Sequence, residues 1–272
     1  MTSQSLSLRF DTLGLLGMPG SKRLHLETPD LEAPVLRADV AVIAKRAWED
    51  RLRAEYVGVM ITRRFHGLLV DLNAPMDLQE LALCMVLQEQ QHTRLCAAAA
   101  AALGSPLDIV FDLDELQQAR DQAPLEEQAM AMILGTFLCG EGTAFELLKF
   151  SVAELPKNGF SNILRLIMSD EVLHARLGLK LLNSLRQTPR NGWLDYPGDR
   201  WACAFLERQI AMMKTRAVIE EDEAQLFDDE QAAHQLRSVA IANSRDFFSC
   251  YHQTLDHRLP DLLAQAGLAV GQ

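Results

Sequence analysis

No two cysteines in this sequence form a C-x-x-C pair, and five is an odd total, so neither a full set of internal disulfides nor a paired-thiolate metal site is expected. Four of the five (Cys84, Cys96, Cys139, Cys203 and Cys250) sit in helical apolar patterns, where a reduced thiol packs as a small hydrophobe. A reduced, cytoplasmic setting is the expectation. Basic residues are also short: 26 Lys and Arg face 37 Asp and Glu, and the net charge of −11 is spread along the chain. That balance argues against an extended basic surface, so no nucleic-acid or membrane partner is expected. Long uncharged runs are missing too. The longest, around Leu95–Pro106, are too short to span a bilayer, and the N-terminus lacks a basic-then-apolar leader pattern. There is no phosphate loop, no dinucleotide glycine pattern, no G-x-S-x-G elbow, no strand-period run and no short fixed repeat. With 49% hydrophobic residues, 15 Gly and 10 Pro, the remaining expectation is an all-α globular protein.

Punctuation along the chain divides it. Residues 1–35 read as an irregular lead-in. A first helix is expected from about Leu36 to Asp71, stopped by the "NAP" at 73–75. Asp77 and Glu80 look like a capping box for a second helix reaching Gly104. A polar connection follows, with one short helix near Leu113–Arg120. Pro124 opens a third helix to about Glu154, and the turn "PKNG" leads to a fourth, capped by Ser161, that ends near Leu185. Two more helices are expected over about 199–222 and 228–258, with Pro260 ending the last and a short helical tail beyond. Two hairpins joined by a long connection make residues 36–187 an antiparallel four-helix bundle with one crossover; residues 188–272 add helices packed on it in the same domain.

Two helices carry Glu-x-x-His: Glu89 with His92, and Glu171 with His174. Residues three apart share a helix face, so each pair offers a carboxylate and an imidazole to one ion. Alone the motif is weak. Depth in the bundle strengthens it, because residues equidistant from a hairpin turn meet side by side. Glu141 lies about 16 residues before the second turn and His174 about 16 after it; Glu55 lies about 19 before the first turn and His92 about 18 after it. Glu49 falls too far away. Each hairpin thus pairs one lone Glu with one Glu-x-x-His, a set of donors suited to two hard or borderline cations.

The order Glu55, Glu89-x-x-His92, Glu141, Glu171-x-x-His174 resembles the ferritin-like di-iron carboxylate superfamily, which includes ferritins, rubrerythrins, ribonucleotide reductase small subunits and bacterial multicomponent hydroxylases. The similarity covers about residues 40–187. It implies a ferritin-like bundle, two Fe ions (or Mn/Fe) as cofactor, and Asp170 as the acid that holds a ligand His in place from behind. It further implies an oxidoreductase, an oxygenase or oxidase, that activates O2 on a small organic substrate with electrons from a ferredoxin or reductase. The C-terminal helices would shape a substrate pocket or a homodimer interface. A ferroxidase or rubrerythrin-like peroxide scavenger is the alternative, disfavoured by the lack of rubredoxin-type cysteine pairs. A third reading is a non-catalytic helical interaction protein.

Departures from the subfamilies are specific. Cys96 stands where the radical-type reductase subunits have Tyr, and Tyr56 is rotated off the Glu55 face. Phe145 replaces the hydroxylase Thr, and Ile167 the third His of the arylamine N-oxygenases. Val59, Thr62, Met85, Cys96, Phe137, Phe145 and Leu148 are expected to line a mostly apolar pocket, although the same positions on any amphipathic helix would be core. Each ligand also has a plainer reading: Glu55 paired with Arg51 or Arg53, Glu89 at the surface, Glu171 paired with Arg176 or Arg165, His174 a satisfied core histidine. Glu141 has no basic residue within a turn, so burial would demand a partner or a metal. His66 is about 16 Å along the helix from Glu55. His252 and His257 are poorly spaced for chelation, Glu146 should pair with Lys149 or Lys180, and the acidic run 220–230 reads as solvated.

Overall fold

The computed structural model describes residues 5–8, 31–32, 34–107, 110–112, 122–188, 192–216 and 221–270. Most of the lead-in and the short helix expected near Leu113–Arg120 lie outside them. The described chain is overwhelmingly helical. Helices α1 (Ala38–Asp71), α2 (Met76–Ala102), α3 (Leu125–Glu154) and α4 (Gly159–Gln187) are the long rods. Four more follow: α5 (Asp199–Arg216), α6 (Glu221–Leu226), α7 (Glu230–Ser238) and α8, which spans 244–265. One two-stranded antiparallel ribbon pairs β1 (Ser5–Ser7) with β2 (Val110–Asp112). Three-residue strands are too short to carry a readable period, which is why none was expected.

Helix ends follow local chemistry, and some differ from expectation. After α1, Asn73 takes a left-handed φ of 51°, and its N–H and that of Ala74 bond back to the Val70 and Leu69 carbonyls; asparagine tolerates that conformation. Helix α2 begins after Pro75 with no side-chain cap, so the Asp77–Glu80 box is not made; Asp77 accepts from Leu78 N–H instead. Asn158, not Ser161, is the cap of α4, and Ser161 supplies the reciprocal bond from the third helical position. The helix expected over 228–258 breaks at 239–243, where Ala240 turns left-handed and Asn243 caps the next segment. Pro260 does not end α8. A π-helical turn, Thr254–Arg258, precedes it, and the helix continues to Gln265.

Buried residues run as a stripe along each long helix, and each stripe is interrupted midway. Leu52 and Val59 flank Glu55 on α1; Met85 and Cys96 flank Glu89 and His92 on α2; Ile167 and Leu177 flank Glu171 and His174 on α4. The interruptions divide the core in two. One apolar cluster holds Phe65, Met85, Phe137, Leu138 and Leu177, together with Leu206, Leu255, Leu259 and Leu263 from the C-terminal helices. The other holds Trp48, Leu52, Cys96, Ile163, Leu164 and Ile167. Trp48 donates its indole N–H to the Val239 carbonyl at 2.8 Å, tying α1 to the end of α7.

Helix α3 departs from α geometry over Met132–Glu141, where the backbone is π-helical. Such stretches are rare and concentrate at functional sites. Gly178 on α4 lets that segment come close: a Cβ there would lie 2.6 Å from Leu138 Cα and 2.7 Å from the Phe137 carbonyl carbon. By length and composition α3 is apolar enough to cross a membrane, but Ala129, Met130, Ile133, Leu134, Phe137 and Leu138 are buried in the protein core.

Candidate metal centre

Between the two apolar clusters the four long helices bring together all six acidic and imidazole side chains singled out above. Oxygen or nitrogen atoms of Glu55, Glu89, His92 and Glu171 lie within 4.8 Å of one another, as do those of Glu89, Glu141 and His174. The two groups share Glu89. Its Oε1 is 3.1 Å from His174 Nδ1 and its Oε2 is 4.0 Å from His92 Nδ1. Glu171 spans the same gap, with Oε1 3.3 Å from His92 Nδ1 and Oε2 3.3 Å from His174 Nδ1. Glu55 approaches only His92, at 3.3 Å. The ring centroids are 6.3 Å apart.

Both imidazoles are fully buried, and both turn Nδ1 inward without a hydrogen-bond partner. Their outer nitrogens are held. His92 Nε2 is 3.2 Å from Asp170 Oδ2, and His174 Nε2 is 3.1 Å from Gln88 Oε1. A carboxylate only accepts, so His92 Nε2 carries the proton and, in the neutral ring, Nδ1 keeps its lone pair. A cation that displaced the Nδ1 proton would find that nitrogen aimed, with the carboxylates, at one position, which is what a metal ligand offers. Of the basic residues considered as plainer partners, Arg51 stacks on Trp48 and Arg53 on Phe111, while Arg165 binds Ser161 and the Val152 and Leu155 carbonyls.

Charge is the dominant physical fact. Burial raises the Glu89 carboxyl above its ordinary value; His174 opposes that rise, and Glu55 and Glu171 add to it. Glu141 retains some surface exposure, yet its carboxyl is desolvated and beside those of Glu171, Glu89 and Glu55, which together hold it well above the carboxylate range. Burial would lower His92, but Asp170, Glu171 and Glu55 outweigh it and push it up to about 12. Four glutamates therefore share too little positive charge. A bound cation would offset their negative charge, and the donors, four carboxylates and two imidazoles, are of the kinds a metal ion takes.

Of the other expected residues, Val59, Thr62, Met85, Cys96 and Phe137 are buried, and Phe145 and Leu148 are half-buried. Burial raises the Cys96 thiol well above its usual range, and Glu55 and Glu89 add to that, which sets it beside the cluster as a protonated thiol. Glu146 pairs with Lys149 and also with Arg258, not Lys180. Glu49 accepts from Ser105 at 2.6 Å, outside the cluster.

Two residues escaped the sequence reading. Gln88 precedes its Glu-x-x-His as Asp170 precedes the other, and that parallel was the available signal. Gly58 is the second. A Cβ there would lie 2.7 Å from the Glu89 carboxyl carbon, and a glycine one turn after Glu55 inside a long helix marks such a close approach. Gly58→Ala should raise helix stability by up to about 1 kcal/mol, because only the flexible end of Glu89 must move. Metal affinity should fall at least about tenfold, as Glu89 swings off its position. Thermal unfolding and metal titration of the one variant check both signs.

Compared with known proteins, the chain matches no family model, no curated protein and no solved structure.

Proposed function

We propose that the chain is a ferritin-like dimetal carboxylate oxidoreductase, an O2-activating oxygenase or oxidase acting on a small organic molecule, with electrons drawn from a separate reductase or ferredoxin. One observation carries the reading: two buried imidazoles turn Nδ1 toward the shared carboxylates of Glu89 and Glu171. Glu89 and Glu171 would bridge two ions. Glu55 would complete the position at His92 and Glu141 the position at His174. When bound, a pair of carboxylate-held ferrous ions supplies electrons to O2. The protein holds the imidazoles in one orientation through Asp170 and Gln88, and excludes water with the apolar layers on both sides. Val59, Thr62, Met85, Cys96, Phe137, Phe145 and Leu148 are the candidates to border the substrate.

Aerobically purified protein should contain about two Fe, or Fe plus Mn, per chain by elemental analysis. Anaerobic reduction followed by air should consume O2 in proportion to an added organic substrate. Fe2+ consumption with no organic dependence would mean a ferroxidase. Metal-free protein that binds no ion would overturn the dimetal reading altogether.

A further inference from the structure

The cluster is nearly symmetric, and a first chemical asymmetry lies in the residues behind the imidazoles. Asp170 backs His92 and Gln88 backs His174, each from the position preceding the glutamate of the opposite helix's motif, and both are half-buried. A carboxylate can only accept, so it keeps a proton on His92 Nε2 and leaves the inner nitrogen to the metal position, and its negative charge makes the ring a stronger donor. An amide both donates and accepts. Gln88 can present its NH2 group to His174 Nε2 after a half-turn, so it leaves that ring's tautomer open and adds no charge.

A second difference points the same way. Glu55 already stands 3.3 Å from His92 Nδ1, beside Glu171 at 3.3 Å. On the other side Glu89 and Glu171 stand 3.1 and 3.3 Å from His174 Nδ1, while Glu141 joins them within the wider 4.8 Å grouping. Three carboxylates thus reach toward the His92 position within 4.0 Å, counting Glu89, and two toward the His174 position.

We propose that the two metal positions are unequal and fill in order, the Glu55–His92 position first, with Asp170 and Gln88 as the positioning residues that set the difference. This rests on the dimetal reading and adds to it a sequence of loading and a chain-specific cause. Exchange of one outer partner of a metal-bound histidine typically changes affinity about 10–100-fold.

The test is anaerobic calorimetric titration of the metal-free full chain with Co(II), followed in parallel by the visible absorption of the bound ion. The wild-type chain should give two steps whose affinities differ by about 10–100-fold. His92→Ala should remove the tighter step and His174→Ala the weaker. Asp170→Asn should weaken the tighter step by about 10–100-fold and leave the weaker in place. Gln88→Glu, which keeps the side-chain length, should tighten the weaker step by a similar factor and bring the two together. A gain of affinity cannot come from misfolding, so this last variant decides even if the others unfold. Two Co(II) bound with equal affinity, or a Gln88→Glu chain whose weaker step does not tighten, would overturn the ordered loading and leave the dimetal reading standing. No Co(II) binding at all would end both.

Discussion

Glu89→Gln is expected to abolish metal loading at both positions while leaving the metal-free protein more stable than the wild type. Glu89 is the carboxylate common to both groups of ligands, so its loss removes a donor from each. The same residue costs stability when no cation is present, because its charged form is buried among Glu55, Glu171 and Glu141. An isosteric amide keeps the shape and drops the charge, worth roughly 1–2 kcal/mol to the metal-free fold. Against this stands the lost metal, which at a free concentration a thousandfold above Kd stabilises by about 4 kcal/mol per site. Thermal unfolding with and without added Mn(II) should show the ranks of wild type and variant reversing. If the variant still gained stability with Mn(II), Glu89 would not be a shared ligand.

The pH dependence has a definite sign. Glu89 and Glu141 titrate above their ordinary value of 4.5 in the folded chain. Their contribution to metal-free stability is complete below that value and is lost as the pH rises through the folded pKa values. Cations replace those protons, so the stability gained on adding Mn(II) should be larger at pH 8 than at pH 5.5. Equal gains at both would contradict the charge argument.

Gly178→Ala should be the most damaging glycine-to-alanine change among the described residues. Its Cβ would meet the backbone of Leu138 and Phe137, which has no rotamer into which to retreat. Overpacking of this kind costs about 1–3 kcal/mol, more than helix propensity returns, and should lower Tm by roughly 5–10 °C. It should also weaken metal binding, since α4 would be pushed off the π-helical segment that ends at Glu141. Gly67→Ala is the matched control: nothing lies within 4 Å of a Cβ there, so the same change should raise stability by about 0.5–1 kcal/mol. Chemical denaturation of the pair separates close packing from propensity.

How far the sequence was legible depends on the kind of information involved. Distance from a hairpin turn is a one-dimensional quantity, and it brought Glu55, Glu141 and the two Glu-x-x-His pairs to one depth. Burial stripes around Glu89 and Glu171 were equally readable, since helical period alone sets them. Asp170 was picked out by the family resemblance; Gln88, at the matching position, is neutral and common on surfaces, so it drew no notice. The π-helical segment had no sequence signal; it packs closely on Gly178 of α4, a contact between helices that local periodicity does not carry. C-terminal breaks failed for a similar reason. Ala240 holds a left-handed turn that local preference would assign to glycine, and the buried surroundings of residues 239–241 hold it there.

Leucines from α5 and α8 share one apolar cluster with Phe137 and Leu138, the outer wall of the segment that ends at Glu141. The core of the four long helices is therefore shared with the C-terminal segments. Cutting the chain after α4 would unroof greasy side chains directly behind one ligand, so any minimal version of this centre has to keep its tail.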